Sequence, residues 1–230
     1  MINKIVDSLA AALDGVQDGA TVLIGGFGGA GTPNELIDAL NAQGAKDLTI
    51  VSNNAGNGET GLAALLKAGR VRKIMCSFPR AADSQVFDAL YRAGKIELEL
   101  VPQGNLAERI RAAGAGVGAF FTPTGYATEL ARGKETRVID GRPYVLEYPI
   151  RGDFALVKAE KGDRWGNLTF RKAARNFGPI MASAAKCAVA QVYETAELGA
   201  IDPEIIVTPG IFVQRVVKVP RAGGLGKEAA

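Results

Sequence analysis

The chain has 230 residues, 47% apolar and 22% charged, with 27 basic against 24 acidic side chains and no histidine. That length suits one large domain or two small ones, and a single globule of this size buries roughly 70% of its unfolded surface. A net charge of +3 without a basic run argues against a nucleic-acid partner, and the missing histidine excludes Ser-His-Asp and Cys-His catalysis and the usual zinc sites.

Any chemistry must then come from carboxylates, lysine, amides, hydroxyls or backbone dipoles. No apolar run reaches membrane-spanning length, and 1–14 carries Asp7 and Asp14 among its apolar residues, unlike a signal peptide. The expected compartment is the cytoplasm, with no membrane contact. Cys76 and Cys187 lie in apolar stretches and are expected to be buried, reduced thiols.

In chain order, Thr21–Ile24 predicts a short buried strand, Leu48–Ser52 a second and Val71–Phe78 a third. Ile96–Val101 alternates apolar and acidic residues and predicts a half-exposed strand. Helices are predicted between them at Asn34–Ala42, Leu62–Ala68, Ser84–Arg92 and Leu106–Ala112. This α/β alternation implies a mostly parallel sheet with helices on both faces, whose ligands bind beyond the carboxyl ends of the strands. After a glycine stretch at Gly114–Gly118, strands are predicted at Asp153–Ala159, Asn167–Phe170, Ala188–Tyr193 and Ile211–Val219, with Glu160–Asp163 as a hairpin turn. The whole reads as a single domain over 1–220, followed by a small, polar tail at 221–230 expected to be disordered.

The densest local signal runs from Asp18 to Pro33. A buried strand ends in Gly25, Gly26, Phe27, Gly28, Gly29, Ala30 and Gly31, and a helix follows with Thr32 as its expected N-cap, Pro33 at the first helical position and Glu35 placed for a capping box. Glycines there leave backbone N–H groups open to an anion such as phosphate. Gly26, Gly28 and Gly31 spell G-x-G-x-x-G, yet a dinucleotide site also wants an acid about 20 positions on. That region reads Val51-Ser52-Asn53-Asn54, and no P-loop lysine is present. The alternative is a tight structural turn.

The Asp18–Pro33 pattern resembles the first signature of the 3-oxoacid coenzyme A-transferases. Four further blocks are similar: Val51–Gly56, Pro102–Arg111, Phe121–Tyr126 and Ala174–Pro179, and the likeness is to the family's A-type chains. The resemblance implies a three-layer α/β/α sandwich with a mostly parallel or mixed sheet. It implies coenzyme A as the substrate and carrier, without a metal, and a homologous B subunit in a hetero-oligomer. It also implies transfer from succinyl-CoA to a 3-oxoacid, with 3-oxoadipate as the expected acceptor and acetoacetate or a short fatty acid as the alternative. A non-enzymatic sensor of CoA or phosphate ligands is the rival class of function.

In the family a glutamate of the B half, in Ser-Glu-Asn-Gly, attacks the acyl-CoA and becomes a glutamyl-CoA thioester. Here Asn53 stands at the corresponding place in Ser52-Asn53-Asn54-Ala55-Gly56, so this chain resembles a half-site without its nucleophile. Asn53 is expected to donate its amide to the oxygen on which charge develops, and Asn54 to shape the turn. Gln103, expected at a strand end, is the second candidate, orienting the acyl group, with a turn approaching the next helix as the alternative. The coenzyme-binding candidates are Gly25 to Gly31. Glu59 imitates a nucleophile but lies outside the family pattern and is read as a helix cap. Arg171 and Arg175 suit phosphates or carboxylates, or merely a solvated face. Phe120, Phe121 and Tyr126 are read as core or interface.

Overall fold

The computed structural model describes residues 2–221; beyond Arg221, the tail expected at 221–230 lies outside the described residues. The chain opens with two elements that the sequence reading does not predict, β1 (Ile5–Val6) and α1 (Leu9–Ala12), and then alternates as expected: β2 (Thr21–Ile24), α2 (Asn34–Gln43), β3 (Leu48–Val51), α3 (Leu62–Lys67), β4 (Val71–Cys76), α4 (Gln85–Arg92), β5 (Glu97–Leu100) and α5 (Gln103–Gly114). The second half adds β6 (Phe120–Thr122), β7 (Thr136–Ile139), β8 (Arg142–Glu147), β9 (Gly152–Asp163), β10 (Leu168–Thr169), α6 (Gly178–Ala184), β11 (Ala185–Ala196) and β12 (Arg215–Lys218).

Among the described residues the main sheet runs β1-β12-β11-β9-β2-β3-β4-β5, parallel at every step, with β10 turned back antiparallel onto β9. The seam is β2 beside β9, where Val22 faces Phe154. The second half of the chain therefore completes the sheet that the first half begins. Alternation along the strands separates two apolar layers. Val22, Ile24, Leu48, Ile50 and Leu156 point into one core with Leu36, Leu40, Leu65 and Phe87 of α2, α3 and α4. Leu23, Val51, Ala155 and Val157 point into the other with Leu106, Ile110 and Met181 of α5 and α6. The result is an α/β/α sandwich.

Several local expectations are corrected. The hairpin turn is not Glu160–Asp163, which is strand; the chain reverses at 164–167, where the Asp163 carboxylate accepts from the Trp165 and Asn167 amides. Gly114 is helical, the last residue of α5, and α6 packs so closely there that a Cβ on Gly114 would lie 2.2 Å from Ser183 Oγ. Leu100 breaks the expected alternation: it is 42% exposed, at the end of β5, which is the edge strand. Helix α6 and a satellite sheet, β6-β8-β7, are additions that the sequence does not announce. The α6 segment, Gly178-Pro179-Ile180-Met181-Ala182-Ser183-Ala184, is too short and small for a helical period to show, and its tertiary packing makes it a helix. Cys76 is buried as expected, whereas Cys187 is only half-buried.

Candidate active site

The glycine loop leaves β2 beyond its carboxyl end. Gly25 N–H donates to Leu156 O at 3.0 Å, so the loop starts anchored to β9. Phe27 and Ala30 then exchange two backbone hydrogen bonds, 3.0 and 3.1 Å, around a two-residue tip. Gly28 has φ +57° and Gly29 does not have positive φ, the pattern of a type II′ turn. The glycines divide by role. A Cβ on Gly26 would strike Thr32 Oγ1 at 2.6 Å, and one on Gly31 the Ala174 carbonyl at 2.9 Å, so both are set by close packing. At Gly28 and Gly29 nothing lies within 4 Å, and their N–H groups have no acceptor among the described residues. The open donors are therefore at the tip.

The expected capping box does not form. Pro33 is the N-cap of α2, without a side-chain bond, and Thr32 Oγ1 instead approaches Gly28 O at 3.4 Å. Gln191 of β11 takes the capping role from 155 residues away: its Oε1 accepts from Leu36 N–H at 3.1 Å and its Nε2 donates to the Glu35 carboxylate. A fully buried amide thus satisfies the helix end that the local sequence leaves open.

Asn53 and Gln103, 50 residues apart, meet directly. Asn53 is 4% exposed, and its Nδ2 donates to Gln103 Oε1 at 3.1 Å and to Ser77 Oγ at 3.0 Å. Both amide hydrogens of Asn53 are thereby used within the chain. Gln103 does not end a strand; it is the first residue of α5. It is exposed, and its Nε2 has no acceptor among the described residues. Asn54 Oδ1 accepts from Gly56 N–H at 2.8 Å, an Asx turn as expected.

Three clefts meet here. One of about 370 Å³ is lined by Phe27, Asn53, Asn57, Ser77, Phe78 and Gln103 among others. A second of about 340 Å³ shares Phe27 and Gln103 and runs to Asn176, Phe177 and Ile180. The third, about 180 Å³, lies on the other side of the loop between Gly28, Gly29, Thr32, Asn54 and Thr60. None of the lining residues carries a charge. Phe27 and Phe78 stand 49% and 58% exposed at the mouth. Cys76, next to Ser77, is no nucleophile: burial pushes its thiol up to about 12.

The remaining candidates fall outside this cluster. Glu59 points to solvent and pairs with Lys67 at 2.9 Å; Gly61, not Glu59, is the N-cap of α3. Arg171 and Arg175 are exposed on the segment that packs against Gly31. Asn176 of that segment donates to Ala30 O at 2.9 Å and holds the loop's far side. Tyr126 is exposed, and Phe121 lies under the Arg137 guanidinium at 4.6 Å in the satellite sheet. Sequence reasoning misses Ser77, Phe78, Asn57 and Asn176 as site residues. Asn176 alone stands inside a family-like block, Ala174–Pro179, and no spacing in the sequence ties the others to Asn53.

The parallel α/β/α sandwich, with a glycine hairpin and converging amides at its strand ends, is a fold that this chain shares with solved coenzyme A transferases. The Coenzyme A transferase family profile matches residues 6–219, and the chain belongs to that family. It is 72% identical over 222 residues to the A chain of the 3-oxoadipate CoA-transferase of Pseudomonas putida, covering 96% of each chain. It is 47% identical to the A chain of the succinyl-CoA:3-ketoacid coenzyme A transferase of Helicobacter pylori strain J99, covering 94% of this chain and 93% of that one. Among solved structures, an acyl-CoA transferase of E. coli O157:H7 in a thioester complex with CoA superposes with a TM-score of 0.83 at 22% identity. That match covers all of this chain, which spans 49% of the E. coli protein. Glutaconate coenzyme A-transferase of Acidaminococcus fermentans gives 0.80 at 20% identity, covering 94% of this chain and 76% of that one. Among the described residues no helix is long and apolar enough to cross a membrane.

Proposed function

We propose that this chain is the A-type half of a cytoplasmic CoA-transferase that moves coenzyme A from succinyl-CoA to 3-oxoadipate, in aromatic catabolism. The reading is supported by the name of the 72% identical relative. The observation that carries it is the neutrality of the clefts: they hold amides, hydroxyls and open backbone donors, but no carboxylate, thiol or amine to attack a thioester, and no base to activate a hydroxyl. Such a site orients and polarises an acyl group, and its nucleophile must arrive from elsewhere. In the family that group is a glutamate of the B subunit. Residues 1–220 act, on this reading, as one A-type domain. Gly25 to Gly31 hold the coenzyme, with the tip N–H groups turned to it. Gln103 Nε2 meets the acyl oxygen, and Asn53 holds Gln103. Amides suit this place because they donate without competing as nucleophiles.

The test is reconstitution. The purified chain is expected to transfer no CoA, and addition of the B subunit is expected to restore transfer from succinyl-CoA to 3-oxoadipate. Borohydride is expected to trap the glutamyl thioester on the partner, and Glu59→Gln in this chain is expected to leave the rate unchanged. Turnover by the chain alone, abolished by Glu59→Gln, overturns the reading. A complex that prefers acetoacetate or a short fatty acid moves only the acceptor, and CoA binding without any transfer favours a sensor.

A further inference from the structure

We infer that Ser77 is a positioning residue that sets which end of the Gln103 amide faces the cleft; the inference rests on the role proposed for Gln103. A primary amide presents a donor at one end and an acceptor at the other, of nearly equal size, so packing alone does not choose between them. Only the donor end helps an oxygen that is becoming negative; the acceptor end repels it. Some group with fixed polarity has to make the choice.

Ser77 supplies that polarity. Its single hydroxyl hydrogen is directed to the main-chain carbonyl of Asn53, 3.1 Å away. With that hydrogen committed, Oγ has only lone pairs left to offer, and the side-chain atom of Asn53 that faces it at 3.0 Å is the Nδ2 donor. The same Nδ2 faces Gln103 at 3.1 Å, so the Gln103 atom that meets it is Oε1. Nε2 is then turned away from Asn53, where it has no acceptor among the described residues. The order of commitment runs from hydroxyl to asparagine to glutamine, and each step leaves one orientation for the next. Ser77 N–H and Phe78 N–H also donate to the Asn53 carbonyl, at 3.2 and 3.0 Å, and so hold that carbonyl beside the Ser77 hydroxyl. Without the hydroxyl, Asn53 is free to turn Oδ1 to Gln103, and Gln103 then presents Oε1 to the substrate.

The experiment measures kcat and the KM for succinyl-CoA of the complex with the B subunit. Ser77→Ala is expected to lower kcat on the order of 10-fold with KM changed less than about 2-fold, because the amide acts on developing charge. Ser77→Thr, which keeps the hydroxyl, is expected to restore most of the rate. In a Gln103→Ala background Ser77→Ala is expected to cost nothing further, since the amide it orients is gone. An undiminished kcat in the Ser77→Ala complex, or an equal further loss in the Gln103→Ala background, overturns the inference. Inactivity of the unmutated complex toward every acid defeats the functional reading instead. In that event the side-chain amide resonances of 15N-labelled full-length chain decide: Ser77→Ala is expected to raise hydrogen exchange at Asn53 Nδ2, and unchanged exchange overturns the inference.

Discussion

Helix α5 carries two polar clusters built on opposite principles. At its first turn Gln103 joins Asn53 and Ser77 beside clefts without a charge. Further along, Arg109 enters an ionic cluster that ties the sheet edge to the satellite sheet. Its Nη1 lies 3.1 Å from Glu99 and its Nε 3.7 Å from Glu147. Lys73 meets Glu99 and Lys134 meets Glu147, both at 2.6 Å. Asn105 adds to this cluster, donating to Glu147 at 3.3 Å and to Thr124 O at 3.2 Å. The contrast teaches how one helix serves two ends. Paired charges fix geometry but have nothing left to offer a ligand, whereas neutral amides hold each other and still present a donor. A fixed charge in the cleft would need its own partner.

The largest expected effect breaks the ionic side. Glu147 is 3% exposed, and Glu147→Ala leaves Lys134 without its carboxylate and Arg109 with Glu99 and the Tyr148 carbonyl as its partners. The expected cost is about 3 kcal/mol, since removing one partner strands buried charge. For a chain of this size that lowers the melting temperature by about 6–12 °C. A calorimetric melt checks it, and a fall under about 2 °C shows that the cluster holds nothing together.

The next test sharpens the neutral side, at the glycine tip. Gly28 combines φ +57° with open surroundings, so Gly28→Val strains the backbone without striking a neighbour. The expected stability loss is about 1–3 kcal/mol, together with weakened CoA affinity in the folded complex. Gly29→Ala has neither strain nor clash, and its stability is expected to stay within about 0.5 kcal/mol of the parent. Titration calorimetry with CoA beside a melt of the same sample separates the two. Unchanged affinity in both variants removes the loop as the coenzyme site.

The smallest effect concerns Glu99, where acidity and pairing meet. Burial works to raise its pKa, but hydrogen bonds and charge from Lys73 and Arg109 outweigh that and hold it below the ordinary glutamate value. A carboxyl more acidic folded than unfolded adds stability above its unfolded pKa, and that contribution disappears as pH falls through the folded pKa. Glu99→Gln is therefore expected to cost about 1 kcal/mol at about pH 7, as a half-exposed pair does. The gap to the parent should close in acid. Urea midpoints measured from neutral to acid pH follow it, and a gap that stays constant with pH refutes the assignment.

Much of this is readable in the sequence because it is encoded locally. The strand from Thr21 to Ile24, the glycines after it and the helices from Asn34 and Gln85 follow from apolar runs, turn residues and period. Through the family resemblance, the asparagine at position 53 implies a half-site whose nucleophile is expected on another chain. What the chain order hides depends on residues far apart in sequence. Only folding puts Gln191 on the end of α2, closes α6 onto Gly114, and brings Ser77 and Gln103 to Asn53. A side chain's type states which hydrogen bonds it can make. Which partner takes them, and which end of an amide remains free, is decided when the strands align in register and the loops beyond their ends come together.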